Sequence, residues 1–81
     1  MTLTVLFFAQ ARDRAGCSEC ALELPEGSRV GEALDSLRSR YPGLEALVPH
    51  LAVAMNGELV SREVRLCAGA ELALLPPVSG G

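Results

Sequence analysis

The chain has one segment with helical periodicity, and this limits how its strands can be covered. Apolar residues follow one another there at spacings of three and four: Val30, Ala33, Leu34, Leu37 and Tyr41. Ser28 is predicted to cap the start of this helix, and Pro42-Gly43 to end it. A single helix covers only one face of a sheet, so the other face of any sheet in this protein is expected to be left open.

Two segments near the ends of the chain carry apolar side chains on both sides of the predicted strand. They are Thr2–Ala9 and Glu71–Leu75, where apolar residues occupy consecutive as well as alternate positions. Strands that are apolar on both sides are typical of the middle of a sheet. Because one helix leaves a face open, the pattern predicts an exposed apolar surface that binds a partner, with Phe8 and Leu75 as candidate contacts.

The rest of the chain supplies the other strands of a small mixed sheet. They are predicted at Cys20–Leu24, Leu51–Met55 and Glu58–Val60. Asn56-Gly57 is a strong hairpin signal because both residues tolerate positive φ, whereas the polar residues 10–16 are predicted to form a loop. Val64–Leu66 does not distinguish strand from loop. The predicted order is ββαβββ, an α+β fold with one main helix packed on one face of a mixed sheet.

Length and charge exclude several classes of protein. The 81 residues make one small domain, expected to comprise residues 1–75 followed by a flexible tail at 76–81. The longest apolar runs are far shorter than the roughly 18 residues of a membrane span, and the N-terminus lacks the basic region of a signal peptide. The net charge of −3 argues against a phosphate-binding surface. We therefore expect a soluble cytoplasmic protein that binds neither nucleic acid nor membranes.

Few side chains suggest catalysis or metal binding. Cys17 and Cys20 form a C-x-x-C motif, but it runs from a loop into a strand, whereas a redox dithiol of the thioredoxin kind begins a helix. With Cys67 and His50 they make four zinc ligands only on paper, because His50 lies in an unrelated segment. All seven basic residues are arginine, so lysine Schiff-base chemistry is excluded. The favoured interpretation is half-buried cysteines, no metal site and no catalysis by the chain alone.

The end of the sequence has a distinctive composition. The last strand is followed by Pro76, Pro77, Val78, Ser79, Gly80 and Gly81. Prolines favour an extended exit from the domain, and six residues at roughly 3.3 Å each span about 20 Å, enough to enter a neighbouring cleft. Glycines lack Cβ and pass through narrow channels. The pattern predicts a functional tail whose terminal carboxylate is activated by ATP, rather than a frayed end.

Three segments of this sequence resemble a known family. They are Val5-Leu6-Phe7-Phe8-Ala9-Gln10-Ala11-Arg12, Val53-Ala54-Met55-Asn56-Gly57 and the ending from Gly69 to Gly81, with its Pro-Pro-Val-x-Gly-Gly tail. They are similar to the small, sulfur-carrying subunit of molybdopterin synthase, in the MoaD/ThiS group of ubiquitin-like β-grasp proteins. The resemblance covers essentially the whole chain, although Ala70 replaces a common acidic residue and Leu74-Leu75 replace two common aromatic residues.

The resemblance implies a function carried by the chain end. A ubiquitin-activating-like adenylyltransferase would adenylate Gly81 with ATP, and a sulfurtransferase would convert it to a thiocarboxylate. The tail would then enter the large subunit of molybdopterin synthase and donate sulfur to the pyranopterin precursor of the molybdenum cofactor. By this analogy Arg12, Leu59 and Leu75 contact the partners, and the carrier itself holds no cofactor.

Other functions fit the same pattern. The sulfur could be delivered to thiamine thiazole, to tRNA thiolation or to cysteine synthesis, since the same fold and tail would serve each acceptor. In a different class, the chain could be a non-catalytic β-grasp interaction module with an inert tail.

Overall fold

The computed structural model describes residues 1–76 of the chain, as five strands, two α-helices and two short 3₁₀ turns. The strands are β1 (Thr2–Phe7), β2 (Glu19–Glu23), β3 (Ala52–Met55), β4 (Glu58–Val60) and β5 (Glu71–Leu75). The helices are α1 (Ala9–Ala15) and α2 (Val30–Arg40), and the 3₁₀ turns are Pro42–Leu44 and Val48–His50.

The strands form one mixed sheet in the order β2-β1-β5-β3-β4. β1 and β5 pair in parallel, and the other three pairs are antiparallel. The two strands predicted to be central are therefore flanked on both sides by other strands. Because β1 and β5 run in the same direction, their C-terminal residues, Phe7 and Leu75, lie at the same end of the strands.

The hydrophobic core lies on one face of the sheet, beneath α2. Leu3, Val5 and Phe7 point into it from β1, and Leu72 and Leu74 from β5, all at most 2% exposed. The helix contributes its buried stripe: Val30, Ala33, Leu34 and Leu37. The periodicity of the sequence therefore predicted the buried face of α2, although Tyr41, the last residue of the predicted stripe, is half-buried at the C-cap.

The prediction of a loop over residues 10–16 is wrong, because Ala9–Ala15 forms α1. This helix buries one residue, Ala11, so its sequence lacks the apolar repeat that identifies an amphipathic helix. Its end is marked by Gly16, which adopts the left-handed conformation (φ 81°) and donates its N–H to the Arg12 carbonyl at 2.9 Å. The element order is βαβαβββ rather than ββαβββ.

Ser28 does not cap α2, contrary to the prediction. Its hydroxyl donates to the Pro25 carbonyl at 2.7 Å and closes the preceding turn. The N-cap is Arg29, whose N–H donates to the Glu32 carboxylate at 3.0 Å. The hairpin prediction at Asn56-Gly57 is confirmed, since both residues have positive φ between β3 and β4. Arg65, in the segment left undecided, forms an isolated bridge with Arg29.

Among residues 1–76, no helix is both long and apolar enough to span a bilayer. The predicted tail begins inside this range at Pro76, which is exposed directly after β5. The remaining predicted tail residues, 77–81, lie outside the described residues.

Candidate functional site

The sheet face opposite the core carries a continuous row of aligned residues across all five strands. The row is Glu19, Leu6, Ala73, Ala54 and Leu59, each paired with the next in the strand register. Ala54 and Ala73 have small side chains, which keep the centre of this face flat. Successive side chains of each strand therefore point in turn to the covered face and to the open face, as the apolar pattern of β1 and β5 predicted.

A second row lies closer to the end of β5. Leu75 is aligned with Ala52 of β3, and Phe8 continues β1 beside them, donating its N–H to the Leu74 carbonyl at 3.3 Å. We call the apolar residues of the two rows the apolar patch: Leu6, Phe8, Ala52, Ala54, Leu59, Ala73 and Leu75. The patch thus lies where β5 passes into Pro76, so a partner bound to it also meets the start of the tail.

Phe8 and Leu59 are the exposed large hydrophobic residues of the described chain, at 42% and 67%. Both belong to the apolar patch, on opposite sides of Leu75. Complete burial of a side chain of this size contributes about 1.5–3 kcal/mol. Burial of these two side chains by a partner would therefore contribute more binding free energy than burial of any other residue of the patch.

The connection between β1 and α1 holds Phe8 at the edge of the patch. Ala9, the next residue, has φ 49°, a left-handed conformation that alanine seldom adopts. The Phe8 carbonyl accepts hydrogen bonds from the N–H groups of Ala11 (3.0 Å) and Arg12 (3.4 Å). The chain thus turns sharply after Phe8, and Arg12, an exposed residue, follows it by one helical turn.

The open face becomes acidic away from the patch. Glu19 ends the central row beside Leu6, and Glu71 is paired with Thr4 in the next row. Glu23 is paired with Thr2, and the Thr2 hydroxyl donates a hydrogen bond to the Glu23 carboxylate at 3.2 Å. We call Glu19, Glu23 and Glu71 the acidic margin. No strand residue on this described face is basic, so its electrostatic potential favours a partner with basic groups around an apolar centre.

A concavity of about 420 Å³ lies on the other side of the molecule, beside the outer surface of α2. Its charged groups largely satisfy one another or the backbone. Arg38 binds Asp35 at 2.8 Å, and the Arg62 guanidinium donates to the Val48 carbonyl at 2.5 Å. A groove whose cations are already occupied in this way is a weaker candidate for ligand binding than the open face.

The structure brings together three of the four predicted partner contacts: Phe8, Leu59 and Leu75. Arg12 lies on α1, four residues after Phe8 in the chain. His50 is exposed at the end of a 3₁₀ turn, and Cys67 is exposed in a separate loop. Within residues 1–76, no three Cys, His, Asp or Glu side chains come close enough together to bind a metal ion.

Sequence reasoning missed the small residues at the centre of the patch. Ala54 and Ala73 carry no chemical signal of their own, and only the pairing of β3 with β5 places them next to each other. It also missed the acidic margin, because Glu19 and Glu71 are more than 50 residues apart in the chain. Strand alternation could have assigned each residue to a face, but not to a neighbour.

Comparison of the sequence with known proteins identifies a matching family and similar proteins. The sequence matches the model of the ThiS family over residues 5–81. The molybdopterin synthase sulfur carrier subunit of Arabidopsis thaliana is 35% identical over 79 residues, covering 98% of this chain and 82% of the plant protein.

Solved structures show the same arrangement. The crystal structure of small archaeal modifier protein 1 from Haloferax volcanii has a TM-score of 0.90 at 35% identity, covering 100% of both chains. A chain of the Amycolatopsis orientalis BexX/CysO complex has a TM-score of 0.73 at 28% identity, covering 98% of this chain and 99% of that chain. The mixed sheet with α2 on one face is the ubiquitin-like β-grasp fold, so the predicted fold class is confirmed.

Proposed function

The chain belongs to the ThiS family, and from this premise we propose that it is a sulfur carrier that delivers sulfur through Gly81. The observation that carries the proposal is the position of the apolar patch, which surrounds the end of β5 where the chain continues to Pro76. A partner that covers Phe8, Leu59 and Leu75 would have the chain end delivered towards its own reacting groups. The globular domain then contributes binding, and the chain end contributes the reacting atom.

The proposed chemistry begins with activation of the Gly81 carboxylate. One carboxylate oxygen attacks the α-phosphate of ATP on a ubiquitin-activating-like adenylyltransferase, which forms an acyl-adenylate and releases pyrophosphate. The outer sulfur of a persulfide on a sulfurtransferase then attacks the Gly81 carbonyl carbon and displaces AMP, and a second thiol reduces the resulting acyl disulfide to the thiocarboxylate and itself becomes part of a disulfide. No side chain of this chain acts as an acid or base in these steps, and the carrier itself holds no cofactor.

The proposed acceptor is the pyranopterin precursor of the molybdenum cofactor, bound by the large subunit of molybdopterin synthase. The similarity to the plant sulfur carrier subunit of molybdopterin synthase supports this acceptor over the thiazole of thiamine. The Pro-Pro-Val-Ser-Gly-Gly ending supports it as well. Delivery to tRNA or to cysteine synthesis uses the same activated chain end and is distinguished by the acceptor that is consumed.

A second candidate function is protein modification. It is favoured by the small archaeal modifier protein 1 of Haloferax volcanii, which is 38% identical over 82 residues, covering 91% of this chain and 94% of that protein. In this case an amine of another protein would attack the activated Gly81 and form an amide. This chain contains no lysine, so its own side chains offer no lysine acceptor for such a reaction.

The decisive experiment is the intact mass of the protein after incubation with ATP, the adenylyltransferase encoded in the same genome and a sulfur source. We expect one oxygen atom to be replaced by sulfur, and fragmentation to place the change at Gly81. Gly80→Trp is expected to abolish the exchange and leave the unfolding midpoint unchanged, whereas Ser79→Ala, the matched control, should react normally. The proposal is wrong if the wild-type protein gains no sulfur, or if Gly80→Trp unfolds the domain.

Two further measurements separate the candidate functions. Addition of the large subunit and the pyranopterin precursor should return the carrier to its original mass and yield a dithiolene product. Addition of a lysine-containing protein should instead give a covalent adduct if the chain is a modifier.

A further inference from the structure

Cys17 and Cys20 both pack on the core side of the antiparallel pair formed by β1 and β2. Cys20 is paired with Val5, a core residue, and is itself packed against the core. Cys17 precedes β2, at a bend directly after the left-handed Gly16, and its side chain also packs against the core. The bend therefore brings the first thiol to the side of the sheet that the second already occupies.

The hydroxyl group of Tyr41 lies beside the first of the two thiols. Cys17 Sγ donates to Tyr41 Oη at 3.8 Å, and the ring of Tyr41 packs edge-on against Phe7 with 5.5 Å between centroids. Phe7 is two residues beyond Val5 on the same face of β1, so Tyr41 and Cys20 both pack on the core side of this strand.

The titration of Tyr41 is consistent with this arrangement. Its pKa is raised to about 12, first by the hydrogen bond with Cys17, then by burial, then by the hydrogen bond with Cys20. Negative charge on the two sulfur atoms adds to the effect. Both cysteines therefore contribute to the raised pKa of Tyr41, and the hydrogen bond with Cys17 contributes most.

We propose that Cys17 and Cys20 are a redox modification site, which a small-molecule disulfide converts to an intramolecular disulfide. Both thiols are free and half-buried, so a small oxidant reaches them. Closure of the bond requires a Cα separation of about 4.4–6.8 Å. Cys17 lies outside the β2 ladder and can adjust its position to meet this requirement, whereas Cys20 is held within the ladder.

The reaction is two successive thiol–disulfide exchanges. The thiolate of one cysteine attacks oxidised glutathione, forms a mixed disulfide and releases one reduced glutathione. The thiolate of the other cysteine then attacks the protein sulfur of the mixed disulfide and releases a second reduced glutathione. The protein loses two protons and two electrons in all, and one glutathione disulfide is reduced to two thiols.

The modification site is joined to the β1–α1 connection on two sides. The Ser18 carbonyl, between the two cysteines, accepts the Phe7 N–H at 2.9 Å, immediately before Phe8 of the apolar patch. Gly16, just before Cys17, ends α1, the helix that carries Arg12. A disulfide between Cys17 and Cys20 therefore restricts the movement of residues 16–18. These residues are joined to the connection that carries Phe8 and to the helix that carries Arg12.

The test uses a Cys67→Ser protein, which removes the third thiol and keeps the pair. After treatment with oxidised glutathione, we expect its intact mass to fall by two hydrogen atoms and both thiols to resist alkylation. Dithiothreitol should restore both. The matched variants Cys17→Ser and Cys20→Ser, each combined with Cys67→Ser, should instead retain one glutathione as a mixed disulfide.

A second measurement connects the disulfide with Tyr41. Oxidation of the Cys67→Ser protein removes both thiol partners of the phenol, so its pKa should fall from about 12 toward 10. Neither single-cysteine variant should form the closed disulfide under the same treatment. The proposal is overturned if the Cys67→Ser protein does not react, or if it accumulates glutathione adducts without closing the bond.

Discussion

At the scale of single residues, Gly43 marks a close contact between the backbone of the 3₁₀ turn Pro42–Leu44 and the backbone of α1. It lies in the 3₁₀ turn after α2, and a Cβ atom built on it would be 2.7 Å from the Arg14 carbonyl oxygen of α1. Backbone atoms at that position do not move aside easily. The glycine is therefore required by the contact between the turn and α1.

We expect Gly43→Ala to lower the free energy of unfolding by about 1–3 kcal/mol, because the turn and α1 must separate. Gly31→Ala is the matched control: its Cβ would lie 3.4 Å from the nearest backbone atom, in ordinary contact, and alanine favours the helix by up to about 1 kcal/mol. Urea unfolding of both variants measures the difference. Equal stability of the two variants would contradict the close approach.

Tyr41 gives a prediction about pH at the same scale. Its folded pKa of about 12 lies above the ordinary value of 10.0, so folding favours the protonated phenol. This contribution to stability is fully present below pH 10 and is lost as the pH rises toward 12. Because Tyr41 is the only tyrosine and the chain has no tryptophan, ultraviolet absorbance follows its ionisation directly.

We expect the phenol of the folded, reduced protein to ionise near pH 12, and Cys17→Ala to move the midpoint toward 10 by removing the principal hydrogen bond. Cys67→Ala, which alters a cysteine distant from Tyr41 in the sequence, is the control and should leave the midpoint unchanged. A wild-type midpoint near 10 would show that the thiols do not contact the phenol.

At the scale of the element, alternation along β1 and into Phe8 separates core residues from residues of the open face. Phe7 is 2% exposed and belongs to the core, whereas Phe8, the next residue, is 42% exposed and belongs to the apolar patch. Adjacent side chains of an extended chain point to opposite faces of the sheet. Two residues of the same type therefore have different surroundings, because one faces α2 and the other faces the open side.

We expect Phe7→Ala to lower the free energy of unfolding by about 3–5 kcal/mol, a large part of the stability of a small domain. Phe8→Ala should change it by less than about 1 kcal/mol. In contrast, Phe8→Ala and Leu59→Ala should each weaken binding to the large subunit by roughly tenfold, about 1.4 kcal/mol. Urea unfolding and calorimetric titration measure the two effects. Unchanged affinity in both variants would exclude the patch as the binding surface.

At the scale of the whole molecule, a group of acidic side chains and the apolar patch share one face of the sheet. The acidic margin lies on the same open face as the apolar patch, and the chain as a whole carries a net charge of −3. Apolar contact supplies affinity once the partner is in place, whereas charge accelerates its approach and is screened by salt. The rate of association should therefore depend on ionic strength more than the rate of dissociation does.

We expect Glu19→Gln/Glu71→Gln to slow association with the large subunit by roughly two- to fivefold at low salt, since two charges are removed from the face. Glu26→Gln/Glu45→Gln changes the net charge equally but lies outside the sheet, so it should slow association less. Stopped-flow measurements at several salt concentrations compare the pairs. If both pairs behave alike, net charge alone governs the encounter.

The accuracy of the sequence predictions followed the strength of the local pattern. Glu58–Val60 and Glu71–Leu75 were predicted with the bounds that the structure has, and the start of α2 followed from its apolar stripe. The missed element, α1, has one buried residue and therefore no periodic signal. Alternation alone assigned Phe8 and Leu75 to the face opposite the core, where the structure places them.

For the strands and α2, the sequence by itself determined which residues share a face, because that depends on the period of the local chain. It also determined that α2 would cover only one face of the sheet. The tertiary structure alone decided which residues become neighbours on the open face. The pairing of β1 with β5 and of β5 with β3 joins segments that are distant in the chain, and no local pattern specifies the register between them.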